Sequence, residues 1–294
     1  MSRLTAAGVA GRLGYLLRLS RPRFWLYLAG PVLVGVAYGA PTVPALVGAL
    51  PAALFAYFLL PANLLLYGVN DVFDRDVDAA NPEKKGEDAP EVRYDGGALV
   101  PAVVVAAAAL SAPLLVASPP AARPYLVGFL ALGVAYSAPP LRLKTSPPLD
   151  SVSNGLYVLP GAAAYAAVAG HHPPLAALAG GWLWAMGMHT FSAAPDIEPD
   201  RAAGIRTTAT VLGEAWTLRY CAACWLLAAA AFAAVHPLLA APLALYPLLV
   251  AAIRLGGVAV DRAYWWFPAV NTAVGAALTV GGLARLVPPE AVLP

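Results

Sequence analysis

Acidic side chains stand in two groups whose spacing places carboxylates on one face of a helix. Asp71, Asp74 and Asp78 occupy positions i, i+3 and i+7, and Asp196 and Asp200 occupy positions i and i+4. Carboxylates held this close repel one another unless a cation lies beside them. Their oxygens suit hard ions such as Mg²⁺, which keeps several waters and bridges one or two carboxylates to substrate phosphates. The spacing therefore predicts a divalent cation at these faces.

Basic residues accompany both acidic groups. Arg142 and Lys144 lie in the loop between them, and Arg201 and Arg206 follow the second group. Arginine offers a fork of donors to phosphate oxygens, and lysine offers a point charge. Carboxylates for Mg²⁺ together with these cations are the groups that bind and release a diphosphate. The alternative, that all of them are solvated loop charges, is disfavoured because two matched groups each follow an apolar stretch, a pattern that suggests an internal repeat.

The composition excludes an ordinary soluble enzyme. Of the 294 residues, 60% are hydrophobic and 12% are charged, about half the charged share of a soluble domain. The net charge of +2 comes with no basic stripe, so we expect no nucleic-acid partner. The chain is predicted to be a multi-pass protein of the cell membrane, with lipid around its helices.

Nine apolar stretches indicate nine membrane spans. They cover residues 24–40, 44–68, 98–118, 122–137, 151–169, 174–194, 215–235, 238–256 and 264–286. Charge-rich and charge-poor connections alternate between them, and of the 18 Lys and Arg residues only Arg123 and Arg285 fall on the poor side. Positive charge marks the cytoplasmic side. The N-terminus and both acidic groups are therefore predicted to be cytoplasmic, and the C-terminus to be outside.

The segment before the first span carries five arginines between apolar residues. Two interpretations of residues 1–23 stay open, an interfacial helix lying on anionic lipid and a basic tail that only sets the topology. In either case residues 1–294 are predicted to form a single domain, with the nine-helix bundle at 24–286.

The two acidic motifs resemble a known family. Asn70-Asp71-x-x-Asp74-x-x-x-Asp78 resembles the first aspartate motif of the UbiA superfamily of membrane prenyltransferases, and Asp196-x-x-x-Asp200 with the segment up to Ala209 resembles the second. The loop from Tyr136 to Lys144 is also similar to the family's pattern. The resemblance implies a helical bundle around a central cavity that opens sideways to lipid, and two Mg²⁺ ions that hold an allylic isoprenoid diphosphate.

The resemblance also assigns roles residue by residue. The implied ligands of Mg²⁺ and diphosphate are Asn70, Asp71, Asp74, Asp78, Asp196 and Asp200. Arg142, Lys144 and Arg206 would bind diphosphate oxygens, with Arg201 beside them, and Tyr136 would face the substrate. Residues 20–28, 149–155 and 191–201 are similar to the carotenoid-modifying branch, the lycopene elongases and hydratases, which implies lycopene as the acceptor drawn from the bilayer.

An allylic cation formed from the diphosphate needs shielding from water and electron-rich neighbours, which aromatic rings supply through cation–π attraction. The candidates are Tyr67, Tyr136, Tyr157, Trp184 and Phe191, each of which is alternatively a packing residue. His189 is a candidate for the final proton or for a diphosphate contact, and Asp150 and Asn154, at i and i+4, for orienting a substrate.

Other functions stay open. The same fold serves prenylation of an aromatic acid or other lipid acceptor, in quinone, ether-lipid or chlorophyll-type pathways. A transporter that uses the carboxylates as a cation site is the alternative from another class. Transporter carboxylates tend to lie near the midplane on broken helices, whereas here they are predicted at helix ends beside basic residues.

Overall fold

The apolar stretches fold into helices, and every regular element of the described residues is helical. The computed structural model describes residues 6–78, 94 and 96–287, without the side chains of 6–10 and 76–78. The α-helices are α1 (Ala6–Leu19), α2 (Trp25–Gly39), α3 (Val43–Leu46), α4 (Ala49–Leu59), α5 (Pro61–Asp78), α6 (Leu99–Ala109), α7 (Ser111–Ala117), α8 (Arg123–Ser137), α9 (Leu149–Val152), α10 (Leu159–Ala169), α11 (Leu175–Ser192), α12 (Ile197–Ala202), α13 (Thr208–Leu212), α14 (Glu214–Val235), α15 (Leu245–Gly256) and α16 (Val260–Ala284). Short 3₁₀ helices lie at Pro22–Phe24, Leu143–Thr145, Ser153–Val158, Pro237–Ala240 and Pro242–Ala244. The all-helical prediction is confirmed.

Six helical segments of the described chain are long and apolar enough to cross a membrane. They are Val43–Arg75, Leu99–Ala117, Leu149–Ala169, Glu214–Val235, Pro237–Gly256 and Val260–Ala284. The other three predicted spans contain α2, α8 and α11, with 15, 15 and 18 residues, near or below the roughly 17 residues that a crossing needs. Length and composition thus support multiple membrane helices, while the count of nine stays a prediction.

Helix α5 carries the first acidic group beyond the apolar part of its span. Pro61 begins the helix, where its missing N–H costs no hydrogen bond, and the helix continues without a break to Asp78. The predicted helical spacing of the three aspartates is therefore confirmed at the level of the backbone, although the side chain of Asp78 lies outside the described residues.

Glycines allow close contact between the helices that enclose the interior. A Cβ atom on Gly161 of α10 would lie 2.7 Å from the carbonyl oxygen of Pro31 in α2, and Gly35 of α2 lies against the backbone of Gly161 in return. Small residues let helix backbones approach in a membrane, where packing rather than the hydrophobic effect drives association. The pairing brings α2 against α10, and both helices line the cavity described below.

Aromatic residues fill the core beside the second acidic group. Trp225 of α14 stacks on Tyr246 of α15 with ring centroids 4.9 Å apart, and Phe267 of α16 packs against both rings. Phe191 of α11 is fully buried in this cluster. Its ring is therefore a packing residue that lines neither of the two cavities described below, in contrast to Trp184.

Candidate active site

The first aspartate motif lies at the C-terminal end of α5 and is largely withdrawn from solvent. Asp71 is 2% exposed and Asp74 is 14% exposed. Arg21 approaches Asp71, with Nη2 3.7 Å from a carboxylate oxygen. Burying carboxylates costs free energy unless they are paired, so the basic side chains around this motif are part of its structure.

The predicted basic loop folds over the motif. Lys144 donates a hydrogen bond to Asn70 Oδ1 (2.9 Å) and forms an ion pair with Asp74, and Arg142 Nη2 lies 3.0 Å from the other oxygen of Asp74. Ser137, at the end of α8, donates to Asn70 as well. The structure thus brings together four of the predicted site residues, two from α5 and two from the loop after α8.

Arg21 is a site residue that the sequence reasoning missed. Among described residues other than glycine, Arg21 and Arg142 alone have left-handed backbone conformations, with φ of 50° and 39°. Such strain is uncommon and concentrates at functional sites. Both conformations direct a guanidinium group toward the motif. The guanidinium carbon of Arg21 also lies 4.6 Å from the ring centre of Tyr67. A signal was available in the basic Ser20-Arg21-Pro22-Arg23 sequence directly before the first span.

A polar cavity of about 190 Å³ opens beside these residues. Arg21 and Asn70 form one side of it, and His189 and Ser192, in the last turn of α11, form another. Most of the remaining wall is aromatic, from Phe24, Tyr27, Tyr67, Tyr136, Tyr157 and Tyr264. Three of the five rings proposed from the sequence therefore surround one space that adjoins the first motif.

His189 pairs with an aromatic residue of the same wall. Its Nε2 lies 3.0 Å from the hydroxyl of Tyr136, and the rings meet edge to face. The contact joins α8 to α11, the helix that precedes the second motif. A hydrogen bond therefore holds this part of the cavity wall together. Both residues line the polar cavity, and their contact with a substrate stays a prediction.

The second aspartate motif follows α11 and forms a single turn of helix. Asp196 precedes α12 and is exposed, and the backbone N–H of Asp200 donates to its carbonyl oxygen at 2.8 Å. Partial burial raises the pKa of Asp200 above its ordinary value. Neither side chain lines the polar cavity, whose wall ends one turn earlier at Ser192.

The two arginines after this motif have other surroundings than the wall of the polar cavity. Arg201 donates to the carbonyl oxygen of Thr210 at 2.7 Å and to Glu198 at 2.9 Å, which ties α12 to α13. Arg206 is exposed in the loop between these helices. Neither residue lines the polar cavity, so their predicted diphosphate contacts stay predictions.

Asp150 and Asn154 are in contact but their side chains have different surroundings. The Asn154 amide donates to the backbone carbonyl oxygen of Asp150 and lines the polar cavity. The two carboxylate oxygens of Asp150 accept hydrogen bonds from the backbone N–H and the hydroxyl of Thr208, at the start of α13. A 3₁₀ helix with three residues per turn rather than 3.6 begins at Ser153, between the two residues, so they do not share the α-helical face that their spacing predicts.

A second, larger cavity of about 580 Å³ is almost wholly apolar. It is enclosed mainly by α2, α10, α11 and α16, and its rim includes Leu33 and Val280, which are 41% and 64% exposed on apolar helices. It therefore opens on an exposed apolar surface of the bundle. Tyr27 belongs to the walls of both cavities, which makes them neighbours.

The oxygen donors of the first motif are of the type that binds Mg²⁺. Asn70, Asp71 and Asp74 present carboxylate and amide oxygens within one helical turn, the ligands of a hard cation. Within the described residues no three His, Cys, Asp or Glu side chains form a preformed metal cluster. Mg²⁺ does not require one, because it is commonly held by one or two carboxylates, waters and substrate phosphates.

Comparison with known proteins agrees with this geometry. The profile of the UbiA prenyltransferase family matches residues 28–281. The lycopene elongase/hydratase of Haloferax volcanii is 62% identical over 280 residues, covering 95% of this chain and 92% of the relative. That of Halobacterium salinarum is 64% identical over 270 residues, covering 92% and 97%.

Solved structures share the fold. A UbiA homolog from Archaeoglobus fulgidus bound to DMAPP and Mg²⁺ matches with a TM-score of 0.73 at 21% identity, covering 92% of this chain and all of the other. The same homolog bound to GPP and Mg²⁺ matches with a TM-score of 0.72 at 22% identity, covering 92% and 99%.

Proposed function

The chain belongs to the UbiA prenyltransferase family and is a membrane prenyltransferase, and we propose that it transfers the prenyl group of an allylic isoprenoid diphosphate to the end of lycopene. The product is a carotenoid lengthened by one or two five-carbon units. The observation that carries the proposal is the pair of adjoining cavities. One is polar, aromatic and beside the aspartates, and the other is apolar, large and open to lipid.

The cationic side chains bind the donor's diphosphate. Arg21, Arg142 and Lys144 converge on the first motif from two separate segments, and the strained backbones at both arginines fix their directions before the donor arrives. Donors that are already oriented stabilise charge that grows on the departing diphosphate at little cost in reorganisation.

We assign Asn70, Asp71, Asp74 and Asp78 of the first motif, with Asp196 and Asp200 of the second, as the ligands of two Mg²⁺ ions. When bound, Mg²⁺ supplies Lewis-acid stabilisation of the leaving diphosphate. The hard oxygen donors of both motifs and the structures of the Archaeoglobus homolog with Mg²⁺ support this assignment.

The aromatic wall then protects the allylic cation. Tyr67, Tyr136 and Tyr157 surround the cavity next to Arg21, so ring faces replace water around the positive carbon. The terminal double bond of lycopene enters from the apolar cavity and attacks that carbon. We assign to His189 the role of taking a proton when the reaction ends by forming a new double bond, and its hydrogen bond with Tyr136 in the cavity wall supports this role.

We propose the topology on the charge pattern. Nine spans place the N-terminus and the active site on the cytoplasmic side and the C-terminus outside, and residues 1–294 form a single domain. The distribution of charge supports it, since only Arg123 and Arg285 of the 18 Lys and Arg residues fall on the opposite side. Reporter fusions at the C-terminus and in the loop at 170–173 test it, and both should report an external location.

The test of the activity uses purified protein in lipid nanodiscs with Mg²⁺, dimethylallyl diphosphate and lycopene. We expect a longer carotenoid, and loss of turnover in Asp71→Ala and in Asp196→Ala. Full turnover in both variants would contradict the metal assignment. Prenylation of an aromatic acid with lycopene untouched would refute the acceptor alone, and cation transport without diphosphate release would refute the reaction.

A further inference from the structure

The two cavities lie end to end along the same helices. At the start of α2, Phe24 lines only the polar cavity, Gly30 lines only the apolar one, and Tyr27 between them lines both. On α11 the change from one cavity to the other falls between Met188 and Trp184. These residues are three or four positions apart, about one turn of helix. The polar cavity therefore ends, and the apolar cavity begins, within one turn on both helices.

Two tyrosine rings lie at this boundary. Tyr27 packs edge to face against Tyr157, with the ring centroids 6.3 Å apart. Tyr157 lines the polar cavity, and the next residue, Val158, lines the apolar one. The Tyr27 hydroxyl is hydrogen-bonded to Asn271 of α16, and the Tyr157 hydroxyl to Tyr67 of α5. Each ring is therefore held both by the other ring and at its tip by a different helix.

The polar cavity is short in the direction of the helices. Its wall extends along α5 from Asn70 to Leu66, about 6 Å of helix. From Arg21, beside the aspartates, to Tyr27 the chain advances about 9–12 Å. An extended chain advances about 3.5 Å for every three bonds, so a five-carbon prenyl unit, with four bonds along the chain, adds about 5 Å. One such unit fits between the residues that bind the diphosphate and Tyr27, whereas a second unit would have to pass the tyrosine rings.

Arg23 joins the segment before α2 to the start of α16, on another side of the polar cavity. Its Nη2 donates to the backbone carbonyl oxygens of Tyr264 and Trp265, at 3.3 and 2.8 Å. Pro268 lacks the N–H that would bond to the Tyr264 carbonyl within the helix, and Arg23 supplies a donor there instead. Phe24 and Tyr264 both line the cavity. This contact therefore holds the wall together on that side, and the chain of a longer donor is directed to the tyrosine rings.

We propose that Tyr27, with Tyr157 beside it, sets the length of the prenyl donor by closing the far end of the polar cavity to a second five-carbon unit. The rings leave room for the chain of dimethylallyl diphosphate and exclude the ten-carbon chain of geranyl diphosphate. A longer chain would also occupy the place where the end of the acceptor meets the donor, so a donor that ends at Tyr27 keeps that place for the acceptor. The inference rests on the proposed prenyl transfer and adds to it the residue that determines donor specificity.

The experiment compares the two donors, dimethylallyl and geranyl diphosphate, with the purified enzyme in lipid nanodiscs, Mg²⁺ and lycopene. The value of kcat/KM is measured for each donor, and mass spectrometry of the products counts the carbons that were added. We expect the wild type to prefer dimethylallyl diphosphate about 100-fold, and Tyr27→Ala to lower this ratio about tenfold or more. Tyr27→Phe should keep the wild-type ratio, because the ring rather than the hydroxyl closes the cavity.

Tyr38→Ala is the matched control. Tyr38 lies on the same helix and lines the apolar cavity about three turns beyond Tyr27. The same truncation there should leave the ratio of the two donors unchanged, because a longer donor still meets Tyr27. If Tyr27→Ala fails to fold, Tyr27→Leu decides, since its side chain is apolar but shorter than the ring.

The outcomes separate the two proposals. A wild-type enzyme that transfers no prenyl group from either donor contradicts the prenyl transfer itself. A wild type that uses both donors equally well overturns the role of Tyr27 alone. The same conclusion follows if the folded variant, Tyr27→Ala or Tyr27→Leu, keeps the wild-type ratio or is inactive with both donors. It also follows if Tyr38→Ala or Tyr27→Phe admits geranyl diphosphate as well as Tyr27→Ala does.

Discussion

The contact between Asp150 and Thr208 predicts a specific pattern of stability changes. Asp150 is 1% exposed, and its carboxylate accepts from the backbone N–H of Thr208 and from its hydroxyl. Hydrogen bonds to charged groups contribute about 1.5–3 kcal/mol each. Asp150→Ala loses both and leaves the donors buried, so we expect the free energy of unfolding to fall by about 3–6 kcal/mol.

The conservative variant should be much milder. In Asp150→Asn the amide oxygen can still accept from the backbone N–H, and the Thr208 hydroxyl can rotate to accept from the amide NH₂. We expect a loss of about 1–2 kcal/mol, and of about 1.5–3 kcal/mol for Thr208→Val, which removes one bond. The single losses should not add in Asp150→Ala/Thr208→Val, because the two residues share the interaction.

Thermal unfolding of the detergent-solubilised protein, followed by tryptophan fluorescence, measures this series. In a chain of this size about 1 kcal/mol shifts Tm by roughly 2–4 °C, so Asp150→Ala should melt about 10 °C lower, while Asp150→Asn stays within a few degrees. Assays far below Tm should show a weaker apparent affinity for Mg²⁺, because the contact fixes the start of α13, which follows the helix α12 that carries Asp200. A wild-type Tm with a raised KM for lycopene would refute the reasoning and make Asp150 a substrate contact.

Three further predictions follow from the site and its packing. Arg142→Gln should raise the KM for the allylic diphosphate about tenfold or more. Arg201→Gln should leave this KM within about twofold, since Arg201 bonds to Glu198 and Thr210. Equal effects of the two variants in a steady-state assay would contradict the placement of the diphosphate. Gly35→Ala should cost about 1–3 kcal/mol of stability, because the added Cβ forces α2 away from α10. Gly30→Ala should have the Tm of the wild type, because there is open space at its Cβ. A lower Tm for Gly30→Ala than for Gly35→Ala would argue against this helix contact. Chelation by EDTA should abolish turnover and added Mg²⁺ should restore it, and turnover that persists in the chelator would exclude a metal role.

The sequence predicted the helical bundle and the first motif because both depend on local periodicity. The spacing of Asp71 and Asp74 predicted the helical face that α5 carries. The loop with Arg142 and Lys144 was predicted near them from its charge and from the family resemblance, and the structure brings both cations into contact with Asp74. Helical period, charge pattern and family resemblance were therefore enough for these residues.

The residues that the sequence misplaced or missed depend on backbone conformations that no periodicity encodes. Arg21 reaches Asp71 through a single left-handed residue before α2. Asp150 and Asn154 were expected on one α-helical face, but a 3₁₀ helix begins between them, and the Asp150 carboxylate bonds to Thr208 while the Asn154 side chain lines the polar cavity. The wall of the apolar cavity combines α2 and α16 from opposite ends of the chain, so only the folded bundle brings them together.

The two cavities have separate walls, and this separation affects how the enzyme can change over evolution. Among the described residues Tyr27 is the one side chain that both walls contain. On the proposed assignment, substitutions along α10 and α16 alter the fit of the acceptor and leave the donor's surroundings intact. New acceptors can therefore arise by gradual drift in one half of the bundle, while position 27 is held under selection from both substrates at once.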